Sequence, residues 1–136
     1  MKKYVLDANA LVRLYRNIAG ADTVQKLFVE AKASRVRLFI SAVNLTEVLY
    51  VLAKYFRQDQ VLQYLAIARA AVETMPVDDQ AALETAAVRI RYKLGLADCF
   101  AAELAMRLGA TLVTAAPEFA ALGKQLKILQ LPRYSV

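Results

Sequence analysis

Short apolar runs separated by amphipathic helical stretches constrain this chain more than any other feature. Tyr4-Val5-Leu6 reads as a short buried strand, followed at once by a helix over roughly 8–18. A second helix over about 22–34 leads into a strand at 36–40. Asn44 then caps a helix to about residue 56, with Leu45, Val48, Leu49, Leu52 and Phe56 on one face at helical spacing. Another helix covers about 59–72, and the VETMPV that follows reads as a short strand. Residues 79–93 are helical, with Leu83, Ala86, Ala87, Ile90 and Leu94 as the buried stripe. Gly95 separates that helix from one over 96–108, which Gly109 ends. A strand at 110–114, a short helix and a strand near 127–131 come next. Strands alternating with helices in this way specify an α/β fold with a mainly parallel sheet. In such sheets ligands bind beyond the carboxyl ends of the strands.

The 136 residues, 59% of them hydrophobic, are expected to form one domain over 1–136 with a core that needs no disulfide. No run approaches the roughly 18 apolar residues of a membrane span, because charges such as Lys54 and Glu103 interrupt each candidate. Asp7 breaks the apolar run after Lys2-Lys3 too early for a signal peptide, so a cytoplasmic location is expected. Cys99 is the sole cysteine, which excludes an internal disulfide and a thiolate metal cluster. It reads as a small buried hydrophobe.

Histidine is absent, which removes Ser-His-Asp and Cys-His nucleophilic sites and imidazole ligation of zinc. An enzyme built from this sequence relies on carboxylates, Lys, Arg, hydroxyls or a hard metal ion. A net charge of +6 and an isoelectric point near 9.6 favour a polyanionic partner, nucleic acid first. The basic residues are scattered, however, and many small basic proteins bind no nucleic acid.

Among the acids, Asp7 directly follows the first strand and precedes a helix. Helix capping explains it, and so does a ligand role at the functional edge of the sheet. Glu47 stands three residues after Asn44, so NLTE reads as a capping-box variant, and the wheel places Glu47 off the core face. Asp98 lies in the first turn of the 96–108 helix, where the macrodipole favours an acid. It flanks the Ala97/Phe100/Ala101/Leu104/Leu108 face and has Ala102, not a cation, at i+4. Glu103 and Arg107 read as an exposed i,i+4 pair that supports the helix. Asp78, Asp79, Asp22 and Asp59 read as residues of helix starts, and Glu30, Glu73 and Glu84 as solvated.

One local anomaly stands out in TLVTAAPEF, residues 111–119. Pro117 favours the first helical position, which places Ala116 at the N-cap. Alanine is among the poorest caps, where Asp, Ser, Thr or Asn would accept from a free backbone N–H.

Taken together, YVLDANALV, SAVNLTEVLY, GLADCFAAELAMRLGATLVTAAPEF and LKILQL resemble, in order and spacing, the PIN-domain nucleases, with the VapC-type toxins of bacterial toxin–antitoxin pairs as the closest match. The resemblance covers essentially the whole chain. It implies a parallel three-layer α/β/α sandwich, with a central sheet of 4–5 short strands, that gathers the acids at the carboxyl edge. Residue by residue, it implies that Asp7, Glu47 and Asp98 are the first three acidic site residues and that Asn9 and Thr114 are supporting polar positions. It further implies an RNA substrate, a cognate antitoxin and a homodimer, for which the helices at 44–56 and 61–72, with Tyr50, Tyr55 and Tyr64, offer surface. All-oxygen ligation without His or Cys selects Mg²⁺ or Mn²⁺. Asp7 and Asp98 are expected to ligate directly, and Glu47 through water or by orienting the nucleophile.

The departure from the family is Ala116, where an acid is usual. A missing ligand weakens metal binding and slows cleavage. Glu118 is expected to point elsewhere from within the first helical turn. The acid was either removed to disarm a toxic nuclease or is naturally absent, and the otherwise intact pattern favours the first. Two other functions stay open. A PIN-like module that binds RNA or a partner without chemistry would have no reason to hold Mn²⁺ at Asp7 and Asp98. A receiver-like domain ranks low, because Asp7 has no acidic neighbour and no later strand ends in Asp.

Overall fold

Side chains that alternate across each strand build two cores, one on either face of a central sheet. The structure is a computed structural model and describes residues 1–132. The elements run β1 (Lys2–Leu6), α1 (Ala8–Arg16), α2 (Ala21–Lys32), β2 (Val36–Ser41), α3 (Ala42–Leu52) and α4 (Gln58–Ala71). They continue through β3 (Val72–Met75), α5 (Asp79–Arg91), α6 (Leu96–Leu108), β4 (Thr111–Thr114), a 3₁₀ segment (Pro117–Gln125) and β5 (Ile128–Gln130). All neighbouring strands are parallel, in the order β3-β2-β1-β4-β5. Leu6, Leu38, Ile40 and Val113 face a core shared with α1 to α4. Val5, Phe39 and Leu112 face the opposite core, with α6 and Phe119 of the 3₁₀ segment. This is the α/β/α sandwich expected. Among the described residues, no helix is long and apolar enough to cross a membrane.

Three local expectations need correction. The helix expected to start at Asn44 starts at Ala42, because the Ser41 hydroxyl accepts from the Val43 N–H at 3.2 Å. Asn44 is thus inside the helix and buried, and its amide donates to the Ala97 carbonyl of α6 at 3.2 Å. Glu47 has no cap to reach back to. Replacing Ser41 with alanine is expected to lower the unfolding free energy by about 1 kcal/mol, the usual worth of a side-chain cap. A denaturant midpoint left unchanged by Ser41→Ala would contradict this placement of the cap.

The second correction concerns Glu103. It is only 6% exposed and receives two bonds from the Arg107 guanidinium, at 2.9 and 3.2 Å. The pair is half-buried beneath α5, not a solvated one. The third concerns α5, which packs on α6 through the face bearing Ala81 and Thr85. Leu83, Ala86, Ala87 and Ile90, the stripe expected to be buried, point outward, and only Leu94 beyond the helix end is buried.

Candidate active site

With the order β3-β2-β1-β4-β5, chain connections leave β1 and β4 in opposite directions along the sheet, and a crevice opens beyond their carboxyl ends. Asp7 is the first residue after β1, and Ala115 and Ala116 are the first after β4. The Asp7 N–H donates to the Val113 carbonyl at 3.2 Å, which continues the β1–β4 pairing up to the crevice. Asp7 then turns the chain into α1 as its N-cap, one carboxylate oxygen accepting from the Ala10 N–H at 2.8 Å. Its other oxygen accepts from the Thr114 hydroxyl at the end of β4. That hydroxyl in turn accepts from the Ala116 N–H at 2.9 Å. Thr114 thereby ties the two central strands together at the carboxylate.

A cavity of about 390 Å³ sits over this junction. Asp7, Asn9, Glu47 and Asp98 all line it, so α1, α3 and α6 deliver the acids that sequence spacing alone could not bring together. Thr114 is fully buried and reaches the cavity through Asp7. A larger cleft of about 740 Å³ lies along β2 and β3, but its one carboxylate, Glu73, is ion-paired with Arg37 at 2.8 Å. Among the described residues, Asp7, Glu47, Asp98 and Glu118 converge on the cavity over β1 and β4.

One polar lining residue, Arg13, gave no sign of a site role in the sequence, and another, Glu118, was expected to point elsewhere. Arg13, buried on α1, donates to the Asn9 side-chain carbonyl at 2.6 Å and to the Ala19 carbonyl at 2.7 Å. Its i,i+4 spacing from Asn9 was the available signal. Glu118 also borders the cavity, against expectation, because Pro117 opens a 3₁₀ segment at the crevice rim. Ala116 sits at the N-cap with no side-chain bond, and its methyl group lies at the cavity wall.

The electrostatics follow from four carboxylates around one opening. Asp7 is 2% exposed, and burial pushes its carboxyl up to about 7, with added repulsion from Asp98 and Glu47. The bonds from Thr114 and Ala10 pull the other way without cancelling the burial. Asp98 is also raised, first by burial and then by the charges of Glu47 and Glu118. A crevice this negative, in a protein of net charge +6, calls for a cation before it accepts a polyanion. Among the described residues, no three Asp, Glu or Cys side chains form a ready-made metal cage. Mg²⁺ does not need one, since it keeps several waters and is held by one or two carboxylates. The donors at Asp7 and Asp98 fit that manner of binding.

The PIN domain family model matches residues 4–125. Among solved structures, VapBC2 from Rickettsia felis, bound to a DNA fragment from its promoter, is 20% identical with a TM-score of 0.74, over 95% of this chain and 98% of that one. A DNA-bound VapBC from Salmonella typhimurium is 22% identical with a TM-score of 0.74, over 96% and 98%. A toxin–antitoxin complex from Klebsiella pneumoniae is 20% identical with a TM-score of 0.70, over 98% and 99%. Identities this low carry the fold and nothing more. No curated protein matches the chain.

Proposed function

The chain belongs to the PIN-domain family, and from that premise we propose that it is a metal-dependent endoribonuclease toxin of a toxin–antitoxin pair, weakened by Ala116. The observation that carries this reading is the convergence of Asp7, Glu47 and Asp98 on one crevice, with Asp7 raised to about 7. Buried acids facing one another are costly to a fold, and a cation-dependent site gives a reason to keep them.

Asp7 and Asp98 would hold Mg²⁺ or Mn²⁺ directly, and Glu47 would do so through water. The ion supplies Lewis acidity that activates water and stabilises charge during in-line displacement at a phosphodiester. The Thr114 hydroxyl fixes the Asp7 carboxylate in one rotamer, and α1 holds it from the other side through the Ala10 N–H. Glu47, which lines the same cavity, would orient the attacking water. Asn9 holds Arg13 at the cavity wall by accepting from its Nε–H. The net charge of +6 draws RNA to the molecule as a whole. A cognate antitoxin and a second copy of the chain complete the assembly, and the structural neighbours that are toxin–antitoxin complexes support the first of these. The proposed setting is the cytoplasm, where RNA is the substrate at hand.

The test is cleavage of a broad panel of structured RNAs. The expected result is cleavage that needs Mn²⁺ or Mg²⁺, stops with EDTA and falls more than about tenfold in Asp98→Asn, the scale of losing one electrostatic group. Cleavage indifferent to EDTA or to Asp98→Asn would overturn the proposal. A second reading, binding without chemistry, draws on the missing acid at Ala116. Calorimetric titration with Mn²⁺ separates the two, because a pure binding module gives no heat that depends on Asp7 and Asp98.

A further inference from the structure

A seam between α1 and α3 leads out of the acidic crevice. Both helices follow parallel strands and pack against each other, so they run side by side away from the acids. Val12 on α1 and Val51 on α3 line the cavity, and Val51 stands one turn beyond Glu47. One further turn brings Arg16 on α1 and Tyr55 just past α3. Helical bonds carry the backbone that far, from the Ala53 N–H to the Leu49 carbonyl at 3.1 Å and from the Phe56 N–H to the Leu52 carbonyl at 2.9 Å. Glu47, Val51 and Tyr55 therefore share one stripe about 80° wide, with Tyr55 about 12 Å beyond Glu47 at 1.5 Å per residue.

At the outer end of the seam the two helices form a stack. The Arg16 guanidinium carbon lies 3.7 Å from the centroid of the Tyr55 ring. The neighbouring rings of Tyr15, Phe56 and Tyr64 pack on one another and against the core, whereas Tyr55 stays 53% exposed. None of the ion pairs among the described residues uses Arg16. A cation in the last turn of α1 suits the macrodipole, which accounts for its charge but not for its place on an exposed ring. Beside it, Lys54 stands 5.9 Å over the ring of Tyr50, which is exposed as well.

We propose that the Arg16–Tyr55 stack is a subsite for single-stranded RNA, on which a base near the scissile phosphate stacks as the strand leaves the crevice along the seam. Val12 and Val51 give that strand an apolar floor between the acids and the stack. Its phosphates pass Arg13 at the cavity wall and then Arg16, so attraction takes over where repulsion by the crevice acids ends. A guanidinium plane on an aromatic ring offers a face that any base can use, so the subsite selects unpaired bases over paired ones without reading their sequence. A duplex gains nothing there, because its bases are stacked on each other.

This subsite rests on the proposed function for its ligand, RNA, and not for its chemistry. The test is fluorescence anisotropy of the full chain in EDTA with a labelled single-stranded oligoadenylate of about eight nucleotides. The same strand in a duplex and an abasic sugar-phosphate chain of equal length serve as the two comparisons. Tyr55→Ala is expected to weaken single-strand binding about tenfold, the scale of one lost base–aromatic stack, and Tyr55→Phe to keep it. Neither variant changes binding of the duplex or the abasic chain, and both melt with the parent because the ring is exposed. Arg16→Gln weakens the single strand and the abasic chain alike and lowers the salt dependence, since it removes a phosphate contact as well. Single-strand binding untouched by Tyr55→Ala overturns the proposal and leaves the exposed ring to a protein partner. An equal loss for the abasic chain overturns it too, because the ring then acts without a base. Cleavage with Mn²⁺ on the same samples separates the two readings: ring-dependent binding without cleavage by the parent sinks the nuclease alone, and cleavage with ring-independent binding sinks the subsite alone.

Discussion

Asp7→Asn is expected to stabilise the metal-free protein by about 2–4 kcal/mol at pH 8 and to abolish cleavage. The Asp7 carboxyl rises from an ordinary 3.8 to about 7 on folding, chiefly through burial. Three pKa units correspond to about 4 kcal/mol of preference for the neutral form. Between these two values the folded chain binds more protons than the unfolded one, so stability falls as pH rises. The contribution is fully present below about pH 4 and is lost as pH climbs through about 7. Asparagine keeps the oxygen that accepts from the Ala10 N–H and never ionises. It gives up the acceptor for the Thr114 hydroxyl, which sets the lower end of the range. Chemical denaturation at pH 4 and pH 8 in EDTA measures the effect. The wild-type curve should drop between the two pH values, and the Asp7→Asn curve should drop less, keeping the contribution of Asp98, which burial also raises. Mn²⁺ at pH 8 should raise the wild-type midpoint and leave the variant's in place. Parallel wild-type and variant curves would show that the buried charge costs the fold nothing.

Much of this site could be read from residue order, because strand-to-helix junctions are local. Asp7 follows a three-residue apolar run and Thr114 ends another, so both fell at the carboxyl edge without any tertiary information. Asp98 was legible as an acid turned partly inward at the start of α6. That these acids share a cavity was not legible, since Gly95 joins two helices and gives no register against the sheet. Only the resemblance to the PIN family joined them.

Two of the errors share one physical source, which is that side-chain periodicity does not say what lies opposite. Glu103 passed for a solvated residue because its i+4 partner is an arginine, yet α5 covers it. The stripe from Leu83 to Ile90 passed for core because it is the more apolar face of its helix. The smaller Ala81 and Thr85 fit closer against α6 and took the interior. Asn44 passed for a cap because asparagine prefers caps, but Ser41, at the end of β2, reaches the helix first. Glu118 was misjudged because the turn after Pro117 is 3₁₀ and runs along the crevice rim.

Restoring a carboxylate at the crevice by Ala116→Asp is expected to raise Mn²⁺-dependent RNA cleavage about 100-fold, the scale of one preorganised charged group at a reacting centre. Two effects share this position and must be separated. A polar side chain at 116 also caps the segment that begins at Pro117, worth about 1 kcal/mol, because Ala116 makes no side-chain bond there. Ala116→Asn supplies the cap without the charge. It should stabilise the protein and leave cleavage near the level of the parent chain. Aspartate adds a fifth carboxylate to a cavity that already holds Asp7, Glu47, Asp98 and Glu118, so in EDTA its capping gain is offset by repulsion. With Mn²⁺ present the repulsion turns into affinity, and Ala116→Asp should gain more in melting temperature from the ion than either the parent or Ala116→Asn. Adding Asp7→Ala to Ala116→Asp should remove both the cleavage and the ion's stabilising effect, because the restored acid cannot hold the ion alone. If Ala116→Asp and Ala116→Asn behave alike in cleavage and in their response to Mn²⁺, position 116 is only a helix start, and the fourth-acid explanation of this chain fails.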